Sequence, residues 1–122
     1  MKTLLTITAI IEAATGLGLL AVPAMLARLL LGGTLDGPVA LIVARVGGAG
    51  LLTIGVACWL ARDNGRALVA AMLFYNAATV AVLAFAGIGF RLRGVALWPV
   101  VIFHTIMSVW CVASLRRSSK TS

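Results

Sequence analysis

The sequence predicts an all-α integral membrane protein, a four-helix antiparallel bundle running up-down-up-down. Three observations carry this reading. Of the 122 residues, 62% are hydrophobic and only 11% are charged, whereas a soluble domain of this size carries roughly 25% charged residues; mean hydropathy is +1.14. The apolar residues gather into four segments, each close to the roughly 20 residues that cross a ~30 Å hydrocarbon core. The links between segments are short, which makes successive helices antiparallel neighbours. The length fits a single domain.

The first span is expected at about residues 4–22. Lys2 followed by an apolar run has the outline of a signal peptide. Glu12 interrupts that run, and it continues past a normal cleavage point, so it reads as a retained helix. Pro23 follows, and "PAMLARLLL" (Pro23 to Leu31) has two readings. It extends helix one to residue 31 past a proline kink, or it lies in the membrane interface with Arg28 at the headgroups. "GGTLDGP" is a turn that ends on a proline suited to a helix start, and the second span follows at 38–60. "RDNGR" is a tight polar turn before the third span at 67–90. "GIGFRLRG" closes that span. The fourth is expected at 95–115, with Pro99 as an alternative first residue. Residues 116–122 read as a short, frayed basic tail.

Composition excludes several function classes. The formal charge is +7, but the cations are spread between apolar runs, where anionic headgroups attract them. No water-exposed basic face is left for nucleic acid. Cys58 and Cys111 lie far apart inside apolar runs without a CxxC pair. There is no phosphate-binding glycine loop. One histidine cannot ligate a haem from both sides, and His104 with Met107 and Cys111 is a weak soft-metal set. No cofactor and no metal site is predicted.

Chemistry is expected where polar groups interrupt the spans, because placing them in hydrocarbon is unfavourable. Each span supplies one: Glu12, Arg45, Asn76 beside Tyr75, and His104. With a rise of ~1.5 Å per residue, Glu12 and Asn76 lie roughly 12–13 Å from one side of the membrane. Arg45 and His104 lie roughly 8–14 Å from the other. Positions three, four and seven residues away share a helix face. Glu12 shares its face with Thr8, Thr15 and Gly16, and Arg45 with Gly48, Ala49 and Leu52. Asn76 shares one with Met72 and Thr79, and His104 with Met107, Ser108 and Cys111. These alignments predict a central polar cluster with Glu12 paired to Arg45, the remaining hydrogen bonds coming from Tyr75, Asn76 and His104. The cluster either fixes helix register or binds a ligand, proton or substrate.

Helix packing is expected at small residues, which let backbones approach. The candidates are Gly16 on helix one and Ala44, Gly47, Gly48 and Gly50 on helix two. The glycine-rich strip "ARVGGAGLLTIG" serves packing within one bundle or a homodimer seam.

"IEAATGLGLL", "ARVGGAGLLTIGVACWLAR", "AAMLFYNAA" and "LWPVVIFHTIMSVWC" together resemble small four-helix bacterial inner-membrane proteins of the DoxX-like kind. The likeness covers about residues 4–115. It implies a multi-pass bundle in the bacterial inner membrane, with relatives linked to membrane redox complexes. The chain is also similar to small multidrug exporters, which have four helices and one membrane-embedded glutamate in helix one; that resemblance implies proton-coupled exchange at Glu12.

The role expected first is non-enzymatic: an accessory or small-ligand-binding bundle in the lipid bilayer, alone, as a homodimer or within a larger membrane complex. A proton-coupled small-solute transporter is the alternative, and a subunit of a membrane redox system the second alternative. No paired general acid and base or activated nucleophile marks an enzyme.

Orientation follows from the cations. Lys2, Arg62, Arg66, Arg116, Arg117 and Lys120 fall on one side, against Arg28, Arg91 and Arg93 on the other. Both termini are therefore expected in the cytoplasm. Asp36→Cys should react with an impermeant thiol reagent from outside intact cells and Asn64→Cys should not; the reverse labelling overturns this orientation.

Overall fold

The computed structural model describes residues 1–119. The described chain is all α-helix and short links: α1 (Lys2–Ala21), α2 (Pro23–Leu31), α3 (Gly37–Leu60), α4 (Arg66–Ile88) and α5 (Leu97–Ser119). Four of these, all but α2, are long and apolar enough to cross a membrane.

The helix count is five rather than four. Helix one does not run on to residue 31. Val22 leaves the helical region at φ −133° and ψ 57°, and Pro23 opens α2. Proline at the first helical position loses no hydrogen bond, because that N–H has no intrahelical acceptor. α2 then stops at Gly32, whose φ of 74° is left-handed. The chain thus makes a separate nine-residue helix, too short to span.

Two other bounds move for local reasons. α5 begins at Leu97, so Pro99 is its third residue and still within the first turn, where N–H groups have no helical partner. At its far end α5 runs through Arg116 and Arg117 to Ser119 rather than stopping at residue 115. Cations in a last turn are favoured by the helix dipole. Lys120, Thr121 and Ser122, the rest of the expected tail, lie outside the described residues.

The spans pack as two close pairs, α1 with α3 and α4 with α5. Backbone meets backbone in the first pair. A Cβ on Gly16 would lie 2.5 Å from the Leu52 nitrogen and 2.6 Å from the Gly48 oxygen. One on Gly55 would lie 2.7 Å from the Ala13 nitrogen. The buried side of α3 is therefore the Gly48, Gly55 and Cys58 stripe, with Ala44 half-buried on its line. Gly47 and Gly50 are not part of it; both face outward with no atom within 4 Å of an added Cβ.

The two pairs share one core. Leu4, Leu5 and Ala9 of α1 meet Cys58 of α3, Val69 and Met72 of α4, and Met107 and Cys111 of α5. This core fills the half of the bundle nearest the start of α1. At that end Lys2 pairs with Asp63 at 2.8 Å, and Arg66 donates to the Leu115 carbonyl at 3.2 Å. The hydrogen bond from Lys2, and then its charge, hold the Asp63 carboxyl below the usual carboxylate range. Both partners of the pair are about two-thirds exposed, so it adds little to stability. A second, smaller core at the other end joins Leu83, Leu97 and Val101 with Leu30 and Leu31 of α2. Neither α1 nor α3 contributes to it.

The glycine seam gives a paired test. Gly48→Ala should lower the stability of the detergent-solubilised protein by about 1–3 kcal/mol, the usual range for overpacking. Gly47→Ala, at the adjacent residue and in open space, should leave the thermal midpoint unchanged or slightly raised. Equal effects at both positions would refute the seam.

Candidate functional site

Three of the four spans bring polar side chains to the inner end of the shared core. Glu12 is 4% exposed although it lies mid-span, and Asn76 and His104 are buried with it. Glu12 reaches this place because α1 turns its Ala9, Ala13 and Gly16 line toward α3. The neighbouring line, with Thr8 and Glu12, then faces α4 and α5. Tyr75 of α4 donates its hydroxyl to Glu12 Oε2 at 3.1 Å.

The next residue, Asn76, joins α4 to α5. Its Nδ2 donates to the Met72 carbonyl at 2.7 Å, which leaves Oδ1 as an acceptor. His104 Nδ1 lies 2.6 Å from that oxygen. An amide oxygen cannot donate, so Nδ1 carries the proton of this bond. The His104 ring is wedged edge-on between aromatic rings, with centroids 5.7 Å from Tyr75 and 5.3 Å from Phe103. Tyr75 therefore touches both the carboxylate and the imidazole, and the four side chains form one continuous patch.

The predicted Glu12–Arg45 pair does not form. Arg45 is exposed on α3, and the ion pair among the described residues is Lys2–Asp63. The reason is geometric. The stripe that meets α1 runs through Ala44, Gly48 and Gly55, and Arg45 is turned one residue, about 100°, away from it. Glycine and alanine allow the closest approach, so they, not the arginine, set the rotation of α3. Thr15, expected beside Glu12, is likewise exposed, because α4 and α5 no longer cover α1 at that depth. On α5 the expected face is correct: Met107 and Cys111 are buried with His104. Of the expected packing residues, Gly16 and Gly48 make the close contact, Ala44 lies along it, and Gly47 and Gly50 do not join it.

Thr8 adds a feature that spacing alone could not reveal. Thr53, Thr79 and Thr105 each donate to the carbonyl four residues back. Thr8 does not, and its Oγ1 is buried without any hydrogen-bond partner. It lies one turn from Glu12 on the same face. Among the described residues Glu12 Oε1 and His104 Nε2 also accept no hydrogen bond. The patch thus has more hydrogen-bonding capacity than its own side chains use.

No group of three metal-ligating side chains occurs among the described residues. Cys58 and Cys111 are both free and buried in the core. Two open grooves, of about 580 and 540 Å³, lie at opposite ends of the bundle and do not include the polar patch. Comparison with protein-family models, with curated proteins and with solved structures finds no match. Fold and site therefore define a class, a multi-pass all-α membrane protein with a polar cluster in its core, and no family is attached to it.

Two hydrogen bonds in the patch can be weighed separately. Tyr75→Phe should destabilise the protein by about 0.5–1.5 kcal/mol, one hydrogen bond's worth. In a double-substitution cycle, Asn76→Leu and His104→Leu should couple by about 0.6 kcal/mol, the average for such bonds inside membranes, and by no more than about 1.7 kcal/mol. Unfolding equilibria in mixed micelles read both, and additivity of the second pair would contradict the Asn76–His104 bond.

Proposed function

We propose that this protein is a non-enzymatic bundle of the bacterial inner membrane that binds a small polar ligand at Glu12, either alone or as an accessory to a larger complex. The observation that carries this reading is the surplus of polar groups around a buried carboxylate. A network that served only to fix helix register would satisfy its own members, since an unpaired buried polar group is unfavourable. Here Thr8 Oγ1 is buried without a partner, and Glu12 Oε1 and His104 Nε2 accept no hydrogen bond among the described residues. One donor and two acceptors suit a small hydroxylated or amino ligand, or a bound water that such a ligand displaces.

The architecture supports access to this place. The core shared by all four spans stops near Glu12; beyond it α1 and α3 stay packed through Gly16 and Gly48, while a separate core joins α2, α4 and α5. On this reading a ligand approaches the carboxylate from the α2 end, on the side of exposed Thr15.

Proton-coupled exchange is the second reading, and one observation favours it. Arg45 does not occupy the Glu12 carboxylate, so that group is open to a proton or a cationic solute in turn. Both termini are assigned to the cytoplasmic side on the strength of the cation bias.

Native mass spectrometry of the gently extracted protein tests the binding reading. The wild type should carry an added small-molecule mass that Glu12→Gln loses while its helix content is unchanged. Bare protein mass in both would make the patch structural. Flux driven by a pH gradient in proteoliposomes, present in the wild type and absent in Glu12→Gln, selects the transport reading.

A further inference from the structure

The link between α4 and α5 is built unlike the other turns. Residues 91–94 form neither helix nor strand, and Arg91 and Arg93 line the same groove. Arg91 has φ 53°, in the left-handed region that residues with a Cβ seldom adopt. The conformation is held in place on both sides. The Leu92 N–H bonds back to the Ala86 carbonyl at 3.2 Å, and the Ala96 N–H bonds to the Leu29 carbonyl of α2 at 2.9 Å. Gly94 lies directly against the backbone of Leu29 and Leu30, with no room for a side chain. The link is thus clamped to α2 rather than left as a free loop.

What the clamp presents is charge without a counter-charge. Among the described residues neither Arg91 nor Arg93 has a side-chain hydrogen bond or ion pair. The three acids are engaged elsewhere: Glu12 with Tyr75, Asp63 with Lys2 at the opposite end, and Asp36 with Thr34. The two arginines line a groove of about 540 Å³ together with Gly87, Val95 and Trp98. Gly87 makes room for the indole: a Cβ there would lie 3.0 Å from the Trp98 ring. One wall is therefore aromatic and apolar, and the mouth is cationic.

The groove lies where α4 ends and α5 begins, and the ends of spanning helices meet the headgroup layer. Guanidinium groups match phosphate oxygens with paired N–H donors, and tryptophan favours this same interfacial layer. We propose that Arg91, Arg93 and Trp98 form a headgroup site for an anionic phospholipid, its phosphate held by the two arginines and its glycerol and upper acyl carbons lying against Trp98 and Val95. Arg28, on the helix to which the link is clamped, adds positive potential at the same end.

The test uses the full chain in nanodiscs of phosphatidylcholine mixed with phosphatidylglycerol, followed by release and native mass spectrometry of the protein with its retained lipids. The wild type should retain phosphatidylglycerol in preference to phosphatidylcholine. Arg91→Gln with Arg93→Gln should lose that preference, whereas Arg62→Gln with Arg66→Gln, at the other end, should keep it. Arg93→Gln alone, at a residue with ordinary backbone, carries the test if the double variant does not fold. Retention unchanged by the Arg91 and Arg93 substitutions overturns the site. So does equal loss in the Arg62 and Arg66 control, which would mean diffuse charge attraction. If inorganic phosphate displaces the lipid and is itself retained, the groove binds free phosphate and the lipid assignment is overturned.

Discussion

The close contact of α1 with α3 sets the rest of the structure. Gly16 and Gly48 bring two backbones together where any side chain would overlap. In a bilayer there is no hydrophobic force between helices, so close packing of small residues is a main source of association. Once that line on α1 is committed to α3, its neighbouring line must face α4 and α5. Leu5, Thr8 and Glu12 lie on that neighbouring line and enter the core together. The position of the carboxylate is thus decided by glycines on the adjoining face.

The second constraint is that polar groups inside the bundle must find partners there. Tyr75 and Asn76 are consecutive, so they point about 100° apart on α4. One reaches back to α1 and the other across to α5. This splits the work of one helix between the two close pairs and ties them together at mid-depth. The surplus at Thr8, Glu12 and His104 departs from full satisfaction, which is rare for buried polar groups.

The two ends of the bundle differ for a related reason. At the end holding the first turn of α1, all four spans converge on one core and the tight α3–α4 link closes it off. At the other end, α2 takes the place that a longer helix one would have filled, and the α4–α5 link is clamped onto it. The four-helix outline therefore holds fully over only half the membrane depth, and the polar patch lies at the boundary between the halves.

The sequence by itself determined the membrane class, the four spans to within a few residues, and the buried polar residues of α1, α4 and α5. These follow from apolar run length, from proline and glycine punctuation, and from helical periodicity, all of which act locally along the chain. Only the tertiary structure decided the rotation of α3, and with it that Glu12 takes Tyr75 rather than Arg45 as its partner. Charge complementarity made Glu12 and Arg45 the natural pair on paper. Rotation about a helix axis, however, is set by which face packs closest, and Gly48 and Gly55 set it one residue away from the arginine. Likewise, Thr8 could be placed on the Glu12 face from spacing, but its lack of a partner depends on neighbours from other helices. That α2 is a separate helix was open at Pro23 and was decided by the break at Val22 and by the surface that the α4–α5 link offers it.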